Sequence, residues 1–547
     1  MKLDLRPHPV FAAFLLLIVS LVPVMILKDI SPSNELRYLS IAEEALEEGH
    51  VFAFSNHGEP YSDKPPLYLW LVMLSRLVSG EYSFFLLSLF SFIPALVIIG
   101  VMDKWLMLVS AQTTIRFSWT DRFAAAVMLG TSAMFVGTAI ILRMDMLMTM
   151  FIVLAMFTFY KMYRNIGRPA LNGLLLPVFI FLALFTKGPV GLLMPVVSIF
   201  IFLLFSGKPG ETGKYLGFRT WGVLVLLCGL WFLGVWLEGG KEYLSDLLFH
   251  QTYDRAVDAF HHKEPVWYYL TAILYVAAPY SLVLLYMIFA RHGRQVYVTD
   301  AGRLFIVCFA STFVMLSLFS SKLSVYLLPV LPFMTYAAIL TGKDMRTGFM
   351  IRITAGLPAV LLMLVALAVC TYPLYAGSIP EDIFPEYIHD LAVTPYAYMA
   401  SAVLLAGAAV SFYALSGNRA WTLSVSSTAV SLLVAVIILT PLVPEVNDYI
   451  GYRNVSRLAM ELKKASGVSG YSTYDLRAGE NMDVLVDEKV TAYDAADDFY
   501  YADISDSVLI ARTSKLRKNP KLLSKTAGLH GIRSGEFTVF VVPPAKD

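Results

Sequence analysis

The chain has 547 residues, of which 57% are hydrophobic and 15% are charged, and its mean hydropathy is +0.66. Soluble globular domains are about half apolar and about one quarter charged, so this composition excludes an ordinary soluble protein. The formal net charge of +1 offers no attraction to a polyanion, and we expect no nucleic-acid partner.

The apolar residues fall in blocks whose length suits a helix crossing about 30 Å of hydrocarbon. No small-residue cleavage site follows the first block, so we expect it to be retained as a membrane span. The three cysteines lie inside apolar blocks, without the spacing of a disulfide framework or a zinc finger. We predict about thirteen transmembrane helices, at residues 9–27, 83–101, 122–142, 146–162, 171–187, 189–206, 220–238, 267–290, 303–320, 325–342, 351–375, 396–415 and 421–441.

Lysine and arginine are concentrated in the loops on one side of these predicted spans. Cytoplasmic loops of membrane proteins carry this excess, so the bias predicts a cytoplasmic N-terminus. With an odd number of spans, the C-terminus then lies outside the cytoplasm.

Two segments on the outer side are long. Residues 28–82 contain "NELRYLSIAEEALEEG", in which Leu36, Leu39, Ala42 and Leu46 recur at helical spacing, with Ser33 as a candidate cap. A second helix is predicted after Pro65-Pro66, and both helices would lie along the membrane surface. Residues 445–547 alternate short apolar runs with helical stretches, which predicts a small α/β domain beyond a transmembrane domain of residues 1–444.

Ionisable residues gather at the outer ends of the predicted spans. They include the pairs Glu35/Arg37, Asp63/Lys64 and Arg143/Asp145, together with Lys187, the stretch "HQTYDRAVDAFHHKEPVWYY", and Lys322 with Tyr326. Ionisable groups at membrane depth usually face a cavity. Structural alternatives remain: Arg76 and Lys241 would be interfacial anchors, Arg143–Asp145 a structural pair, and Asp63–Lys64 an exposed surface pair.

This mixture of cations and carboxylates suits a substrate with a phosphate and a polar head, because arginine and lysine both bind phosphate. The membrane spans would accommodate a long lipid tail. A sugar carried on a polyprenyl phosphate combines these properties.

Several motifs occur in a characteristic order: "NELRYLSIAEEALEEG", "YSDKPPLYLWL", "RMDMLMTMFIVLA", "LFTKGPVGLLMP", "HQTYDR…HHKEPVWYYL" and "SKLSVYLLPVLP". Over residues 1–445 this set resembles the ArnT-like branch of the dolichyl-phosphate-mannose–protein mannosyltransferase family, which are glycosyltransferases of the GT-C class. The resemblance implies a thirteen-span fold with juxtamembrane helices in the first periplasmic loop of a bacterial inner-membrane protein. It also implies transfer of a sugar from undecaprenyl phosphate to a periplasmic acceptor, with inversion. In the type enzymes the sugar is 4-amino-4-deoxy-L-arabinose and the acceptor is a lipid A phosphate.

The resemblance also assigns roles to residues by motif position. Lys64 and Arg255 would hold the donor phosphate, Tyr326 would donate a hydrogen bond to it, and Asp145 would be an acidic residue of the site. We include Arg37 and Lys322 among the candidate phosphate-binding cations. Asp63 and His250 match the ligands of a divalent metal, zinc or a similar ion, although two ligands do not define a metal site.

One residue departs from the family pattern, in which an Asp-Glu pair begins the first surface helix and the Asp is the expected catalytic carboxylate. Here the pair is Asn34-Glu35. A hydroxyl acceptor requires a general base, which would then be Glu35 or Asp145. An anionic acceptor requires none, and Asn34 would orient it by hydrogen bonds. The substitution also allows a weak or inactive enzyme.

Other functions fit parts of the pattern. A related transferase could modify protein hydroxyls or a surface glycan. A transporter or flippase of lipid-linked sugars would also need cations near one leaflet, but transporters often contain repeated halves, and no such repeat is visible. A structural scaffold would not need the Lys64, Arg255 and Lys322 set.

Overall fold

The computed structural model describes residues 8–31, 34–248, 264–289, 297, 299–343, 348–376, 386–416, 421–493, 499, 501–518, 523 and 525–544. Helices predominate, and each predicted apolar block coincides with one helix or a bent pair of helices. The helices of the first half are α1 (Pro9–Leu27), α2 (Asn34–Glu48), α3 (Leu67–Ser79), α4 (Phe84–Gln112), α5 (Trp119–Gly130), α6 (Ala133–Ala139), α7 (Met144–Tyr163), α8 (Pro169–Lys187), α9 (Pro189–Phe205), α10 (Thr212–Tyr215) and α11 (Phe218–Ser245).

The helices of the second half continue the bundle and then enter the C-terminal region. They are α12 (Tyr268–Val276), α13 (Ser281–Phe289), α14 (Asp300–Leu318), α15 (Val330–Gly342), α16 (Phe349–Tyr375), α17 (Glu386–Ala392), α18 (Pro395–Ser416), α19 (Trp421–Leu439), α20 (Val443–Ile450), α21 (Arg453–Ser466), α22 (Asp483–Val486) and α23 (Thr513–Lys518). Short 3-10 turns occupy Pro209–Glu211, Ser324–Leu327, Thr440–Leu442 and Gly479–Met482.

Within the described ranges, nine helices are long and apolar enough to cross a membrane. The pairs α5–α6 and α12–α13, bent by 68° and 117°, raise this number to eleven if each pair is one span. The 17-residue α9 and the 13-residue α15 coincide with two more predicted spans but are shorter than the others. A helical protein with many apolar spans is therefore confirmed, while the number thirteen stays a prediction.

Helices α8 and α9 are joined by Gly188 alone. Its φ of 104° lies in the region that favours glycine, so the chain can reverse here without side-chain strain. A Cβ atom at Gly191 would come within 2.3 Å of the Ala183 backbone, so α9 can pack directly on α8 only with glycine at this position. The adjoining predicted spans 171–187 and 189–206 already leave only Gly188 between them, and the tight connection places Lys187 at the last position of α8.

The region after α20 is an α/β unit. Strands β3 (Gly470–Tyr474), β4 (Val490–Tyr493), β5 (Ser507–Arg512), β6 (Gly531–Ser534) and β7 (Phe537–Val542) form a sheet of order β4-β3-β5-β7-β6. The β3 strand pairs in parallel with β4 and β5, whereas β7 pairs antiparallel with β5 and β6. The boundary at residue 444 stays a prediction.

The first long loop and the α/β unit lie on the same end of the bundle, which we call the first-loop face. One buried apolar cluster contains residues of both, among them Leu36 and Leu39 of α2 and Val455 and Val539 of the α/β unit. Asp29, just after α1, accepts the backbone N–H of Arg453 at 2.9 Å, and the Asp29 N–H donates to Asn447 at 2.9 Å. These contacts fix the α/β unit against the first loop.

Candidate active site

The candidate active site lies at the first-loop face, where α2 and α3 cover the ends of α7 and α8. Helix α2 is amphipathic as predicted: Leu36, Leu39 and Ala42 are buried, and Glu47 and Glu48 are exposed. Pro66 stands directly before α3 with a helical backbone, φ −67° and ψ −31°, as a proline at a helix start does. The two helices therefore frame the loop that carries Asp63 and Lys64.

This loop is held from two sides. Strands β1 (Ser55–Asn56) and β2 (Glu59–Pro60) form a hairpin whose two turn residues, His57 and Gly58, have positive φ. The Glu44 carboxylate of α2 accepts the N–H groups of His57 and Gly58 at 2.6 and 2.8 Å. The hairpin is thereby attached to α2.

On the other side, side chains at the end of α11 and just after it bind the segments before and after the hairpin, residues 51–54 and 61–62, and we call the contact made by Glu238 the Glu238 clamp. The Glu238 carboxylate accepts three successive backbone N–H groups, of Val51, Phe52 and Ala53, at 3.0, 2.6 and 3.1 Å. The Tyr243 hydroxyl accepts the N–H of Phe54 and donates to the carbonyl of Tyr61. Ser62 donates a hydrogen bond to Asp246. Asp63 and Lys64 thus follow a segment with a fixed conformation.

Glu35 is buried beneath the start of α2. Its carboxylate accepts the N–H of Ser31 at 2.6 Å and the N–H of Leu142 at 2.7 Å, and Lys28 Nζ lies 3.5 Å away. These bonds join α2 to the connection between α6 and α7. They give the carboxylate a structural task, and its predicted role as a base stays a prediction. Asn34, its neighbour, is exposed.

Asp145 lies in the first turn of α7, where 1% of its surface is accessible. One carboxylate oxygen accepts Arg143 Nε at 3.0 Å, and the other pairs with Lys187 Nζ at the end of α8. The Lys187 side chain is 11% exposed and that of Arg143 is 28% exposed. The three groups form a cluster with a buried anion and a more accessible guanidinium.

Two tyrosines complete this cluster. Lys187 Nζ lies 4.5 Å from the ring centroid of Tyr326, which places Tyr326 beside the Lys187–Asp145 pair. Burial raises the pKa of the Tyr38 hydroxyl in α2, and Asp145 raises it further, while Arg143 and Arg37 oppose these effects. Tyr38 therefore stays a neutral hydrogen-bond donor, and its ring packs edge-on against Tyr68 at 5.8 Å.

Three other predicted site residues, Asp63, Arg37 and Lys322, have described interactions. Asp63 lies near enough to Tyr38 and Tyr243 for its charge to act on both hydroxyls, whereas the phosphate-binding role of Lys64 stays a prediction. The charge of Arg37 also acts on Tyr38. Lys322 is buried, and its ammonium donates to the carbonyl oxygens of Phe319 and Glu264 at 2.5 and 2.8 Å.

Arg255 and His250 lie outside the described residues. In the part of the chain that the structure describes, no three His, Cys, Asp or Glu side chains come close enough to share a metal ion. Asp63 is thus the single described member of the predicted metal pair. The metal stays a prediction.

Sequence reasoning did not assign Tyr38, Tyr68, Arg143 or Lys187 to the phosphate-binding set. Arg143 and Lys187 were visible as charges at the outer ends of spans. Tyr38 and Tyr68 carried no signal, because an aromatic residue in an amphipathic helix is ordinarily part of the packed face.

Comparisons with known proteins extend this description. No family model matches the chain. The structure superposes on the crystal structure of ArnT from Cupriavidus metallidurans bound to undecaprenyl phosphate, with a TM-score of 0.70, 15% identity and 97% coverage of both chains. The apo form of that protein gives a TM-score of 0.73 at 16% identity, covering 97% of this chain and 96% of that one. The chain has the ArnT-like GT-C fold.

Curated relatives match part of the chain in sequence. An uncharacterized protein of Aquifex aeolicus is 26% identical over 335 residues, 60% of this chain and 63% of its own length. The undecaprenyl phosphate-alpha-4-amino-4-deoxy-L-arabinose arabinosyl transferase 1 of Pseudomonas fluorescens is 26% identical over 359 residues, 62% of this chain and 59% of its own length. The chain thus spans about three fifths of the relatives it matches. The resemblance seen in the sequence motifs is confirmed.

Proposed function

We propose that the chain is an inner-membrane glycosyltransferase that moves a sugar from undecaprenyl phosphate to an acceptor at the first-loop face. The observation that carries this proposal is the cluster of Arg143, Asp145 and Lys187 beside Tyr326, at the end of an ArnT-like bundle. It brings two cations and a tyrosine together around a buried anion. The cations and the tyrosine suit a donor with an anionic phosphate, and the apolar bundle suits its lipid tail.

The cations would act on the leaving phosphate. In the transfer, the bond between the sugar anomeric carbon and the phosphate oxygen breaks, and its electron pair stays on undecaprenyl phosphate. Fixed positive charges that face the developing phosphate charge lower the barrier. Arg143 donates its Nε–H to Asp145, so its terminal N–H groups can turn toward the phosphate of the lipid-linked sugar. The further predicted phosphate-binding cations are Lys64, Arg37, Arg255 and Lys322, and Tyr326 would donate a hydrogen bond to the phosphate.

Asp145 would then position the two cations. A buried carboxylate with one oxygen on Arg143 and the other on Lys187 fixes both side chains. Both candidate bases, Asp145 and Glu35, are therefore engaged in other bonds. This favours an acceptor that is already ionised and needs no base, such as a lipid A phosphate. The acceptor oxygen attacks the anomeric carbon from the face opposite the leaving phosphate, with inversion, and Asn34 orients the acceptor.

The orientation supports a periplasmic reaction. The lysine and arginine bias predicts a cytoplasmic N-terminus, and the first loop and the α/β unit share one face, which would then be periplasmic. The donor's sugar would be a pentose like aminoarabinose. A divalent ion held by Asp63 and His250 would supply further positive charge near the phosphate.

The test uses the full chain in detergent with tritium-labelled sugar on undecaprenyl phosphate, and lipid A as acceptor. Free undecaprenyl phosphate should appear only when the acceptor is present. Lys187→Met and Arg143→Gln should each lower the rate by about 10²-fold, the effect of removing one fixed stabilising group. Arg76→Gln, which removes a cation of α3 outside the cluster, is the matched control. Equal rates in all four proteins would refute the proposal.

The same assay separates the related transferase and the transporter. Transfer to exported protein or surface glycan, with no transfer to lipid A, would show that the proposed acceptor is wrong and that the proposed reaction at undecaprenyl phosphate is right. Movement of intact donor across a vesicle membrane, without release of undecaprenyl phosphate, would identify a flippase.

A further inference from the structure

A cavity of about 370 Å³ lies at the end of the bundle opposite the first-loop face, far from the candidate active site. It is enclosed by the turn between α7 and α8 and by the beginning of α11. Three lining residues are cations, namely Lys161, Lys214 and Arg219, and no lining residue is an aspartate or a glutamate. The Glu211 carboxylate, which does not line the cavity, lies 4.0 Å from Lys214 Nζ. The charged side chains of the lining are therefore all positive.

Two helix N-termini point into the same space. The 19-residue α8 begins at Pro169, and the 28-residue α11 begins at Phe218; neither receives a side-chain capping bond at Arg168 or Gly217. The N–H groups of a first helical turn have no partner inside the helix, and the helix dipole is positive there. An anion in the cavity would face these groups as well as the three cations.

Arg219 is exposed, and its guanidinium lies against α8 at Gly173. A Cβ atom added at Gly173 of α8 would lie 2.2 Å from Arg219 Cζ, so the guanidinium packs flat on the backbone of α8, which is possible because residue 173 has no side chain. Among the described residues, Arg219 forms no hydrogen bond or ion pair. The guanidinium N–H groups of Arg219 lie beside the cavity and are available to bind a ligand.

The surroundings of the cavity are those of a membrane surface. Phe218, next to Arg219, is 95% exposed, and Leu171 and Leu174 of α8 are 48% and 51% exposed. Exposed apolar side chains on the outside of a membrane bundle face acyl chains. A ligand phosphate in the cavity would thus have its own acyl chains beside these residues.

We propose that this cavity binds the phosphate of an anionic glycerophospholipid in the leaflet opposite the first-loop face. The charge of the lipid meets Lys161, Lys214, Arg219 and the two helix N-termini, while its chains lie along Phe218 and Leu171. The lipid would anchor the turn between α7 and α8, two helices that carry Asp145 and Lys187 at their other ends. The inference does not depend on the sugar-transfer activity.

The test is native mass spectrometry of the full chain in neutral detergent, titrated with dioleoylphosphatidylglycerol. Arg219→Gln should weaken binding by about tenfold, since it removes a charge-assisted contact. Gly173→Ala should weaken it similarly without changing any charge, because the added methyl group displaces the guanidinium. Lys208→Gln, which removes a nearby cation that does not line the cavity, should bind as the unaltered chain does.

Two further probes identify the source of the phosphate. Dioleoylphosphatidylcholine has the same phosphate with a neutralising choline and should bind more weakly. Inorganic phosphate should not displace the anionic lipid. Displacement by inorganic phosphate would overturn the lipid assignment, and equal lipid binding by the unaltered chain, Arg219→Gln and Gly173→Ala would overturn the site itself.

Discussion

Lys187 and Asp145 form an ion pair that joins the last residue of α8 to the first turn of α7. The pair is nearly inaccessible to solvent, with side-chain exposures of 11% and 2%. Removing one member of a buried pair leaves an uncompensated charge, which is far more costly than losing both members. Stability and, in the proposed mechanism, donor binding therefore depend on the same two side chains.

We predict that Asp145→Asn destabilises the protein by about 3–5 kcal/mol, because Lys187 and Arg143 then lack their shared anion. A fall in the thermal unfolding midpoint of the detergent-solubilised chain measures this. The double variant Asp145→Asn/Lys187→Met should recover part of the loss, since it removes one unpaired cation. A double variant no more stable than the single one would contradict the proposed pairing.

This pair also shows what the sequence could not predict. Asp145 and Lys187 were both visible as charges at the outer ends of spans, but 42 residues separate them, and no local pattern pairs two such groups. Their contact follows from the single-residue turn at Gly188 and from the packing of α7 on α8. Tyr38 was missed for a related reason: its role depends on neighbours from α3, α7 and the Asp63 loop.

The local features were predictable because each has a local cause. The α2 pattern, the proline entry to α3 and the turn at Gly188 follow from spacing, proline geometry and glycine flexibility. The predicted apolar blocks likewise coincide with the long apolar helices of the described ranges. By contrast, the apolar core shared by α2, α3 and the C-terminal sheet arises from association of distant segments, which hydropathy does not reveal.

A second prediction concerns the pair that holds α2 to α3. Arg76 donates three hydrogen bonds of 3.0–3.2 Å to the Glu43 carboxylate. Burial raises the pKa of Glu43, but hydrogen bonds from Arg76 and Tyr82 and the charge of Arg76 lower it more, so the pKa lies below its usual value of 4.5. Because the folded-state pKa is depressed, this pair stabilises the fold above pH 4.5 and the stabilisation is lost as pH falls below it.

Glu43→Gln should therefore lower stability by about 1 kcal/mol at neutral pH and flatten the acid side of the stability profile. The stability profile is measured as the thermal unfolding midpoint of the detergent-solubilised chain at pH values between 3 and 7. Glu47→Gln, an exposed acid on the same helix, should reproduce the unaltered profile. An unchanged acid slope in Glu43→Gln would show that another group causes it.

A third prediction concerns the attachment of the α/β unit. Asp29 accepts the N–H groups of Ile30 and Arg453, and a Cβ at Gly451 would lie 2.2 Å from its carboxylate. Asp29→Ala leaves the buried N–H of Ile30 and the partly buried N–H of Arg453 without their acceptor, at a cost of about 1–3 kcal/mol. We expect faster proteolysis between α19 and α21. Glu445→Ala, an exposed acid in the same connection, should be cleaved at the unaltered rate, and equal cleavage of all three proteins would count against this attachment.

The last prediction concerns the Glu238 clamp, which determines where Asp63 and Lys64 lie. Glu238→Ala removes the acceptor for three consecutive N–H groups, so hydrogen exchange of Val51, Phe52 and Ala53 should accelerate by at least about tenfold, equivalent to about 1.4 kcal/mol. Sugar transfer should fall as well, because the loop that carries Lys64, a predicted phosphate-binding cation, loses its fixed conformation. Glu242→Ala provides the matched control: Glu242 is an exposed acid four residues further along α11, and its side chain bonds to no described residue. If exchange accelerates while transfer keeps its full rate, the loop conformation is irrelevant to catalysis and Lys64 does not contact the donor.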